Sequence, residues 1–317
     1  MRLKTPVFRS SGDPLADRRY NLALDYRRDG DLAAAADLLA QTVEIAPGWA
    51  AAWFALGEAN QILGVREAAA NAFRHARDAD PGDELGAGLW LARLGDREVA
   101  DAMASGYVEQ LFDQYAPEFD HALVDRLGYN GPQLLAAALT SLRGGDFRVR
   151  RCLDLGCGTG LIGAALRPHC ATLIGIDLSA GMLAQAKRRG CYDALVRADL
   201  LAALTLEPAA AADLIVAADT MVYVGELGPV LAQVARVLEP GGLFAATLER
   251  CEAGVELHLS LRYRHGADYL RERADAAGLE IAYLAEASAR QDGGVPVPGL
   301  VAVLAKPETA SPETATS

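Results

Sequence analysis

The sequence predicts an all-α domain of helical repeats followed by an α/β domain with a mostly parallel, doubly wound sheet. Two prolines, Pro47 and Pro81, lie 34 residues apart in similar helical contexts, which predicts a repeated helical hairpin. From residue 149 onward, short apolar segments alternate with helical ones, a pattern typical of a parallel sheet with helices on both faces. The first apolar segment leads into the glycine-rich stretch CLDLGCGTG at 152–160, which indicates a backbone that passes very close to a ligand.

The bulk composition indicates a folded protein and disfavours some partners. The length of 317 residues is typical of two domains, and with 51% hydrophobic and 23% charged residues the chain can bury a core. The formal net charge of −12 argues against a broad surface for nucleic acid or an anionic membrane, because either needs a basic face. The basic run RVRR at 148–151 is the best local candidate for such a face, but it precedes an apolar strand and is typical of a solvated strand entry. We therefore expect neither a nucleic-acid nor a membrane partner.

The N-terminus and the cysteines predict a cytoplasmic protein. The stretch MRLKTPVFRSSGDP lacks the apolar core of a signal peptide, and no apolar run approaches the ~18–20 residues that cross a bilayer. The five cysteines form no CxxC pair, and the spacing of Cys152 and Cys157 fits no common zinc pattern. We expect small, buried, reduced thiols and no metal site.

The N-terminal helices are predicted to form two repeats over residues 18–98, after an arm at 1–17. Small or aromatic residues recur 34 positions apart, pairing Leu22 with Leu56, Ala23 with Gly57, Ala35 with Ala69 and Leu39 with Phe73. A helical hairpin of this kind must stack on a neighbour to bury its apolar stripe, and ELGAGLWLARLG at 84–95 is predicted to close the stack.

This pattern resembles the tetratricopeptide repeat. The second repeat carries the resemblance at Trp53, Leu56, Gly57, Ala69, Phe73, Ala76 and Pro81. It departs from the pattern at Asn60, where a tyrosine is expected, and the first repeat lacks the tryptophan and the glycine. The resemblance implies a surface for a peptide or protein partner, and a structural or dimerising spacer is the alternative.

Residues 101–147 are predicted to form a helical lid or linker. The aromatic residues Phe112, Tyr115 and Phe119 share a helical face unless Pro117 opens a second helix. A hinged aromatic helix can exclude water from a ligand site, and ordinary core packing is the alternative. At the other end of the chain, residues 307–317 repeat PETA and are predicted to be disordered.

The α/β domain is predicted to span residues 148–306. Its strands are predicted in RVRRCLDLG, ATLIGIDLS, ALVRADL, ADLIVAAD, LFAATLE, EIAYLAEA and GLVAVLAK. The first four strands each end at an acid, namely Asp154, Asp177, Asp199 and Asp219. Because α/β proteins bind ligands at the carboxyl edge of the sheet, four acids on this edge indicate a site, although a single one is equally typical of a helix cap.

The glycine loop argues against two common ligands. A phosphate-binding loop needs GxxxxGK[ST], and no lysine or serine follows Gly160. A dinucleotide-binding loop has the spacing GxGxxG, whereas the spacing here is GxGxG and the carboxylate of Asp154 would repel a pyrophosphate. S-adenosylmethionine suits the acids better, since it carries a sulfonium and an ammonium group but no phosphate. Asp177, about 20 residues beyond the loop, is placed to accept hydrogen bonds from a ribose diol.

The motifs DLGCGTG, IDLS, ADL and EPGG, in this order, resemble those of the class I S-adenosylmethionine-dependent methyltransferases, and the resemblance covers residues 110–306. It implies a Rossmann-like methyltransferase fold with a seven-stranded, mostly parallel sheet and an antiparallel last strand. The combination with tetratricopeptide-like repeats is similar to a group of bacterial methyltransferases. The segment LFDQYAPEFDHAL is similar to the lid of small-molecule methyltransferases of the ubiquinone and biotin pathways.

The resemblance also implies which residues contact the cofactor, S-adenosylmethionine. Gly156, Gly158 and Gly160 would let the backbone approach its methionine and ribose portions. Asp154 would orient the amino group, and Asp177 would bind the ribose hydroxyls.

Further residues would surround the adenine and the methyl group. Leu178 and Met182 would pack on the adenine, while Asp199 and Leu200 would contact its exocyclic amine. Ala218 and Asp219 would line the wall near the methyl group.

The protein's part in such a reaction is mainly alignment. Methyl transfer is an in-line displacement at a carbon that the cofactor has activated, so a general base is needed only where the nucleophile starts protonated. The candidate catalytic residues are His265, Tyr115, Asp219 and His121, with Tyr223 as a further candidate. His265 lies in RYRHGADYL, predicted to be a loop near the substrate mouth, although a lone loop histidine is often incidental.

The acceptor is predicted to be an O or N nucleophile of a small molecule or of a carrier- or peptide-bound substrate. The (D/N)PP(Y/F) signature of enzymes that methylate adenine or glutamine amide is replaced here by AADTMVY. Two other functions stay open at this point, a non-catalytic scaffold with a vestigial cofactor pocket and a nicotinamide-dependent reductase.

Overall fold

A computed structural model gives the structure of the protein and describes residues 10–100, 102–121, 123 and 127–308. The first nine residues of the predicted arm and residues 309–317 of the predicted tail lie outside the described part. The chain divides into two compact units. One consists of the residues up to Leu111 with Leu259–Leu261, and the other of Phe112–His258 with the residues from Arg262 onward.

The first unit is all-α. Its helices are α1 (Pro14–Arg28), α2 (Leu32–Ile45), α3 (Ala50–Ile62), α4 (Arg66–Ala79) and α5 (Ala87–Arg93), followed along the chain by α6 (Ser105–Tyr115). Aspartate side chains cap the first two helices, because Asp13 accepts hydrogen bonds from the backbone N–H groups of Leu15 and Ala16, and Asp31 accepts one from Ala34. Helix α1 packs on α2, and α3 packs between α2 and α4, so the helices form a stack of hairpins.

Close helix approach in this unit depends on Gly57. A Cβ on Gly57 would lie 2.6 Å from the ring of Phe73 in α4, so α3 and α4 can meet closely only without a side chain there. Phe73 in turn stacks on Trp90 of α5, with ring centroids 5.6 Å apart. Leu22 departs from the predicted repeat, since it is 47% exposed while its counterpart Leu56 is buried. Leu56 lies on α3, which packs between α2 and α4. Leu22 lies on α1, the first of the described helices, which packs on α2.

The second unit is α/β. Its strands are β1 (Val149–Leu155), β2 (Cys170–Asp177), β3 (Ala194–Arg197), β4 (Ala212–Ala217), β5 (Leu238–Arg250), β6 (Val255–Leu257), β7 (Tyr263–His265), β8 (Glu280–Glu286), β9 (Gln291–Asp292), β10 (Val295–Pro296) and β11 (Gly299–Ala305). Its helices are α7 (Gly131–Arg143), α8 (Leu161–Leu166), α9 (Ala180–Arg189), α10 (Leu200–Leu206), α11 (Gly228–Val237) and α12 (Ala267–Ala276). Within the described ranges of the chain, no helix combines the length and apolar character needed to cross a bilayer.

Seven strands form a continuous path in the order β3-β2-β1-β4-β5-β11-β8, within a sheet of nine strands. Neighbours are parallel from β3 to β5, and β11 is antiparallel to both β5 and β8. This is the predicted mostly parallel sheet with an antiparallel last strand. The short strands β6 and β7 add to it and were not predicted, so His265 lies in a strand and the prediction of a loop there was wrong. Strands of three residues are too short to show a periodicity.

Both faces of the sheet are covered by helices. Leu153 and Leu155 of β1 belong to a core shared with α10, α11 and α12, while Cys152 of the same strand faces a second core with α7 and α8. Burial on both faces accounts for the continuous apolar character of the strands. Because β1, β2, β4, β5 and β8 run in one direction, their carboxyl ends share one edge of the sheet, called the carboxyl edge below.

Candidate active site at the carboxyl edge

The glycine loop turns sharply at the end of β1. Gly156 has φ +68° and Gly158 has φ +53°, both in the left-handed region that favours glycine. The backbone N–H groups of Gly156 and Cys157 donate to the carbonyl of Ile176 in β2, at 2.8 and 2.9 Å. A Cβ on Gly156 would lie 2.4 Å from Oγ1 of Thr220, so the loop and the segment after β4 meet without room for a side chain.

Asp154, the acid before this loop, is fully buried. Its Oδ2 accepts a 2.6 Å hydrogen bond from the Tyr192 hydroxyl, whereas its Oδ1 is buried with no hydrogen-bond partner among the described residues. Burial raises the pKa of this carboxyl to about 7, and the neighbouring charge of Asp177 acts in the same direction. A half-satisfied, buried carboxylate of this kind is poised to receive a cationic donor.

Asp177 ends β2 and is 9% exposed. Its Oδ2 accepts the backbone N–H of Gly158 and its Oδ1 that of Ser179, both at 2.8 Å. Burial raises its pKa to about 6 despite these two bonds, which favour the charged form. Asp177 therefore joins the glycine loop to the start of α9, the position predicted for a residue that binds the ribose.

The remaining predicted cofactor residues follow the neighbouring strands. Met182 is fully buried in α9, and Leu178 is partly buried directly after β2. Asp199 lies two residues after β3, where its side chain caps α10 by accepting from the backbone N–H groups of Leu201 and Ala202. Leu200 begins that helix, and Ala218 follows β4 directly.

Residues 112–121, called the lid segment, contact both the glycine loop after β1 and the loop between β2 and α9. Oδ1 of Asp113 accepts hydrogen bonds from Ser179 Oγ at 2.5 Å and from the backbone N–H of Gly181 at 3.1 Å. The side chain of Phe119 lies 4.0 Å from the position that a Cβ on Gly158 would take. Phe112 meets Phe119 edge to face and also meets Tyr223 in the same way, at centroid distances of 5.9 and 5.2 Å. Aromatic rings therefore cover the carboxyl edge, and the anchoring role of Asp113 was not predicted.

Asp219 is engaged in an ionic network. It has φ +58°, its backbone N–H donates to Thr247 Oγ1 at 2.8 Å, and its Oδ1 accepts a 2.5 Å hydrogen bond from Arg262. Arg262 also donates to Glu249 and to the hydroxyl of Tyr223. Sequence reasoning missed Arg262 and Glu249. Glu249 lies near the end of the apolar strand β5, so the rule that identified the other acids applies to it as well.

The structure argues against His265 as a general base. It is fully buried, its Nε2 lies 2.9 Å from the carbonyl of Val224, and burial lowers its pKa. Because a carbonyl oxygen can only accept a hydrogen bond, Nε2 carries the hydrogen and donates it to the backbone. Tyr115 ends α6 and is partly buried, and His121 is exposed at the end of the lid segment.

The acidic residues at this edge fit S-adenosylmethionine. Within the described ranges Asp154 Oδ1 is a buried acceptor without a donor, which suits the ammonium group of the methionine portion. The carboxyl groups of Asp154 and Asp177, which lose their protons near neutral pH, disfavour an anionic pyrophosphate at this edge. Among the described residues, no group of three or more His, Cys, Asp or Glu side chains is arranged to hold a metal ion.

The strand order, the glycine loop after β1 and the acid after β2 together form a Rossmann-like fold of the methyltransferase type. Residues 153–246 match the family model described as a methyltransferase domain. This stretch contains the glycine loop and all four acids predicted to lie on the carboxyl edge.

Two curated relatives are similar to part of the chain. Methyltransferase-like protein 27 of Homo sapiens is 32% identical over 174 residues, which are 53% of this chain and 66% of that protein. Malonyl-[acyl-carrier protein] O-methyltransferase of Enterobacter lignolyticus is 34% identical over 117 residues, 36% of this chain and 45% of the relative. The chain thus spans a little under two thirds of the first relative and less than half of the second.

Among solved structures, the [4+2]-cyclase SpnF is similar in fold, with a TM-score of 0.52 and 21% identity. The similarity covers 64% of this chain and 97% of SpnF. Because SpnF is a [4+2]-cyclase, the shared fold alone does not specify the reaction.

Proposed function

We propose that this protein transfers the methyl group of S-adenosylmethionine to an O or N nucleophile of a small molecule or of a carrier- or peptide-bound acceptor. The observation that carries the proposal is the fully buried Asp154, whose Oδ1 has no hydrogen-bond partner among the described residues. A buried carboxylate left half satisfied costs free energy unless a ligand completes it, and an ammonium group would do so.

The residues of this chain then have distinct tasks. Asp154 would orient the ammonium group, and Asp177 would accept from the ribose hydroxyls while still holding the glycine loop. Leu178 and Met182 would pack against the adenine, and Asp199 with Leu200 would lie near its amine. When bound, the cofactor supplies the activated methyl group.

The lid segment would keep water from the reacting atoms. Phe112 and Phe119 cover the carboxyl edge beside Tyr223 and Gly158, and Asp113 ties the segment to the start of α9. Exclusion of water and alignment of the acceptor are the main contributions a protein can make to this reaction, and alignment alone can supply ~7–11 kcal/mol. Asp219, Tyr115 and His121 remain the candidates for a base where the acceptor starts protonated.

The helical unit is proposed to bind a partner or a second copy of the chain. Its stacked hairpins and the 34-residue recurrence support a tetratricopeptide-like assignment, because Ala35 and Ala69, and likewise Leu39 and Phe73, are equivalent and fully buried. The name of the Enterobacter relative supports an O nucleophile and a carrier-bound acceptor. A cytoplasmic location and a bacterial grouping stay predictions, and the relatives include a human protein.

Isothermal titration tests the proposal against the two alternatives. The full chain is titrated with S-adenosylhomocysteine, with S-adenosylmethionine and with NADH. We expect heat with the first two and none with NADH. The absence of heat with both sulfur nucleosides favours a scaffold with a vestigial pocket, and heat with NADH favours a reductase. Incubation with labelled S-adenosylmethionine and cell extract then identifies what acquires the label.

A further inference from the structure

The two halves of the carboxyl edge differ in charge. The ends of β1, β2 and β3 carry Asp154, Asp177 and Asp199, the half assigned above to a cationic cofactor. The ends of β5 and β8, together with β7, carry a different set, called the arginine cluster. It consists of Arg262, Arg264 and Arg290 around Glu249 and Asp219.

The arginine cluster is buried and tightly joined. Oε1 of Glu249 accepts hydrogen bonds from Arg262 and from Arg290, each at 2.7 Å, and Nε of Arg264 lies 3.6 Å from its Oε2. Although burial acts to raise the pKa of Glu249, the charges of Arg262 and Arg290 hold it below its usual value. The side chains of Arg262 and Arg290 are only 4% and 6% exposed.

Charge and hydrogen bonding in the cluster are incomplete. Three guanidinium groups face two carboxylates, so the described members carry one net positive charge. Nε of Arg290 and Nε of Arg264 are buried and, like Oε2 of Glu249, have no hydrogen-bond partner within the described part of the chain. A buried donor without an acceptor and one uncompensated positive charge each cost free energy, and an anion that accepts from both arginines would lower both costs.

The cluster adjoins the place where an acceptor would lie. Arg262 donates to the hydroxyl of Tyr223, whose ring contacts Phe112 of the lid segment. The buried Tyr129 lies close enough to residues of both halves for their charges to act on it. Burial raises its pKa well above the usual value, and the charges of Asp219 and Asp154 add to this effect. The cluster therefore adjoins the aromatic cover through Tyr223.

We propose that the methyl acceptor carries a carboxylate, which binds to Arg290 and Arg264 of the arginine cluster. The inference rests on the function proposed above. A carboxylate matches the single positive charge of the cluster, and its two oxygens match the planar donor pattern of a guanidinium group. A phosphate of charge near −2 would exceed that charge and would lie against Asp219 and Glu249.

Titration with matched pairs of compounds tests this. The full chain, saturated with S-adenosylhomocysteine, is titrated with succinate, benzoate, hexanoate and cinnamate, each beside its primary amide, and with phenyl phosphate. At least one carboxylate should bind about tenfold or more tightly than its amide and more tightly than phenyl phosphate. Arg290→Gln and Arg264→Gln should each reduce this preference to within about twofold.

Arg250→Gln is the matched control. Arg250 follows Glu249 in β5 but pairs with the exposed Glu286, so this variant should keep the preference. Binding of S-adenosylhomocysteine reports on folding of each variant, and Arg264→Gln, whose side chain is 20% exposed, serves if Arg290→Gln does not fold.

Three results overturn the proposal while S-adenosylhomocysteine still binds. These are no carboxylate preferred over its amide, phenyl phosphate bound more tightly than every carboxylate, or a preference that survives in both arginine variants. They leave the proposed function standing. Failure of the wild-type chain to bind S-adenosylhomocysteine overturns the proposed function, and this inference with it.

Discussion

Thr159 of the glycine loop donates a 2.5 Å hydrogen bond from its Oγ1 to Oδ1 of Asp120 in the lid segment. The other oxygen of Asp120 accepts from Arg189 at the end of α9, also at 2.5 Å. Asp113 makes the equivalent attachment at the start of α9. Two carboxylates thus hold the aromatic cover against the glycine loop and α9, and their contacts determine how readily the cover can open.

Replacement of Asp120 by alanine should loosen the cover. Asp120→Ala removes the bonds to Thr159 and Arg189, and because the pair with Arg189 is partly exposed we expect a modest loss of ~1–2 kcal/mol in the closed state. The dissociation of S-adenosylhomocysteine, measured by stopped-flow fluorescence, should become about tenfold faster. Asp268→Ala removes an exposed pair on α12 and should leave the rate unchanged. An unaltered rate in Asp120→Ala would exclude the lid role of this contact.

Cofactor affinity should rise with pH. Burial raises the pKa of Asp154 to about 7 and that of Asp177 to about 6, so both carboxyls are largely protonated at pH 5 in the unbound protein. An ammonium group favours the ionised carboxylate, and binding therefore releases protons below these pKa values. Affinity for S-adenosylhomocysteine should increase about tenfold between pH 5.5 and 7, and the binding heat should depend on the ionisation enthalpy of the buffer.

Asp154→Asn is the comparison for this pH dependence. The variant keeps the shape of the side chain but cannot ionise, so most of the rise in affinity should disappear and the residual rise should follow Asp177. A pH profile as steep as that of the wild type would show that Asp154 does not meet the ammonium group.

Asp177→Ala should weaken cofactor binding severely. The variant loses the acceptor for the ribose hydroxyls and also the bonds from Gly158 and Ser179 that shape the loop. Hydrogen bonds to charged groups contribute ~1.5–3 kcal/mol each, so titration should give an affinity at least about tenfold lower. Asp193→Asn removes a half-exposed carboxylate paired with Arg167 and should bind normally. Wild-type affinity in Asp177→Ala would remove this residue from the site.

Gly57→Ala should destabilise the helical unit. The new methyl group would lie 2.6 Å from the Phe73 ring, which is held between α3 and Trp90, so the two helices must separate at a cost of ~1–3 kcal/mol. Urea unfolding of the variant, monitored by the helical circular dichroism signal, should begin at a lower urea concentration than unfolding of the wild type. Gly48→Ala is the matched control, because a Cβ at Gly48 meets nothing within 4 Å. This variant should not lower the urea concentration at which unfolding begins.

The elements predicted well are those with local signals. Asp154, Asp177 and the three glycines follow apolar strands in a fixed order, and strands pair so that their ends meet at one edge, so their grouping could be predicted from the chain alone. All of the seven strands on the main path except β3 have at least six residues, which is long enough for their apolar character to be recognised.

The residues that were missed depend on distant parts of the chain. Arg262 and Arg290 reach Glu249 from a short strand entry and from a loop, and neither segment has a pattern that points to its partner. The burial of His265 could not be predicted for the same reason, because its ring contacts the carbonyl of Val224, which lies 41 positions away in the chain. Leu22 shows the limit of repeat alignment, since equivalent positions differ in burial when one helix has two neighbours and the other begins the stack.

The position of β11 has a consequence for how this domain is made. The strand comes last among those described, yet it lies inside the sheet between β5 and β8 rather than at its margin. Until residues 299–305 leave the ribosome, β11 does not yet cover the edges of β5 and β8. Their exposed backbone N–H and C=O groups can then form non-native strand pairs. Closure of the sheet thus waits for residues 299–305, and this one strand covers the exposed edges of β5 and β8 together.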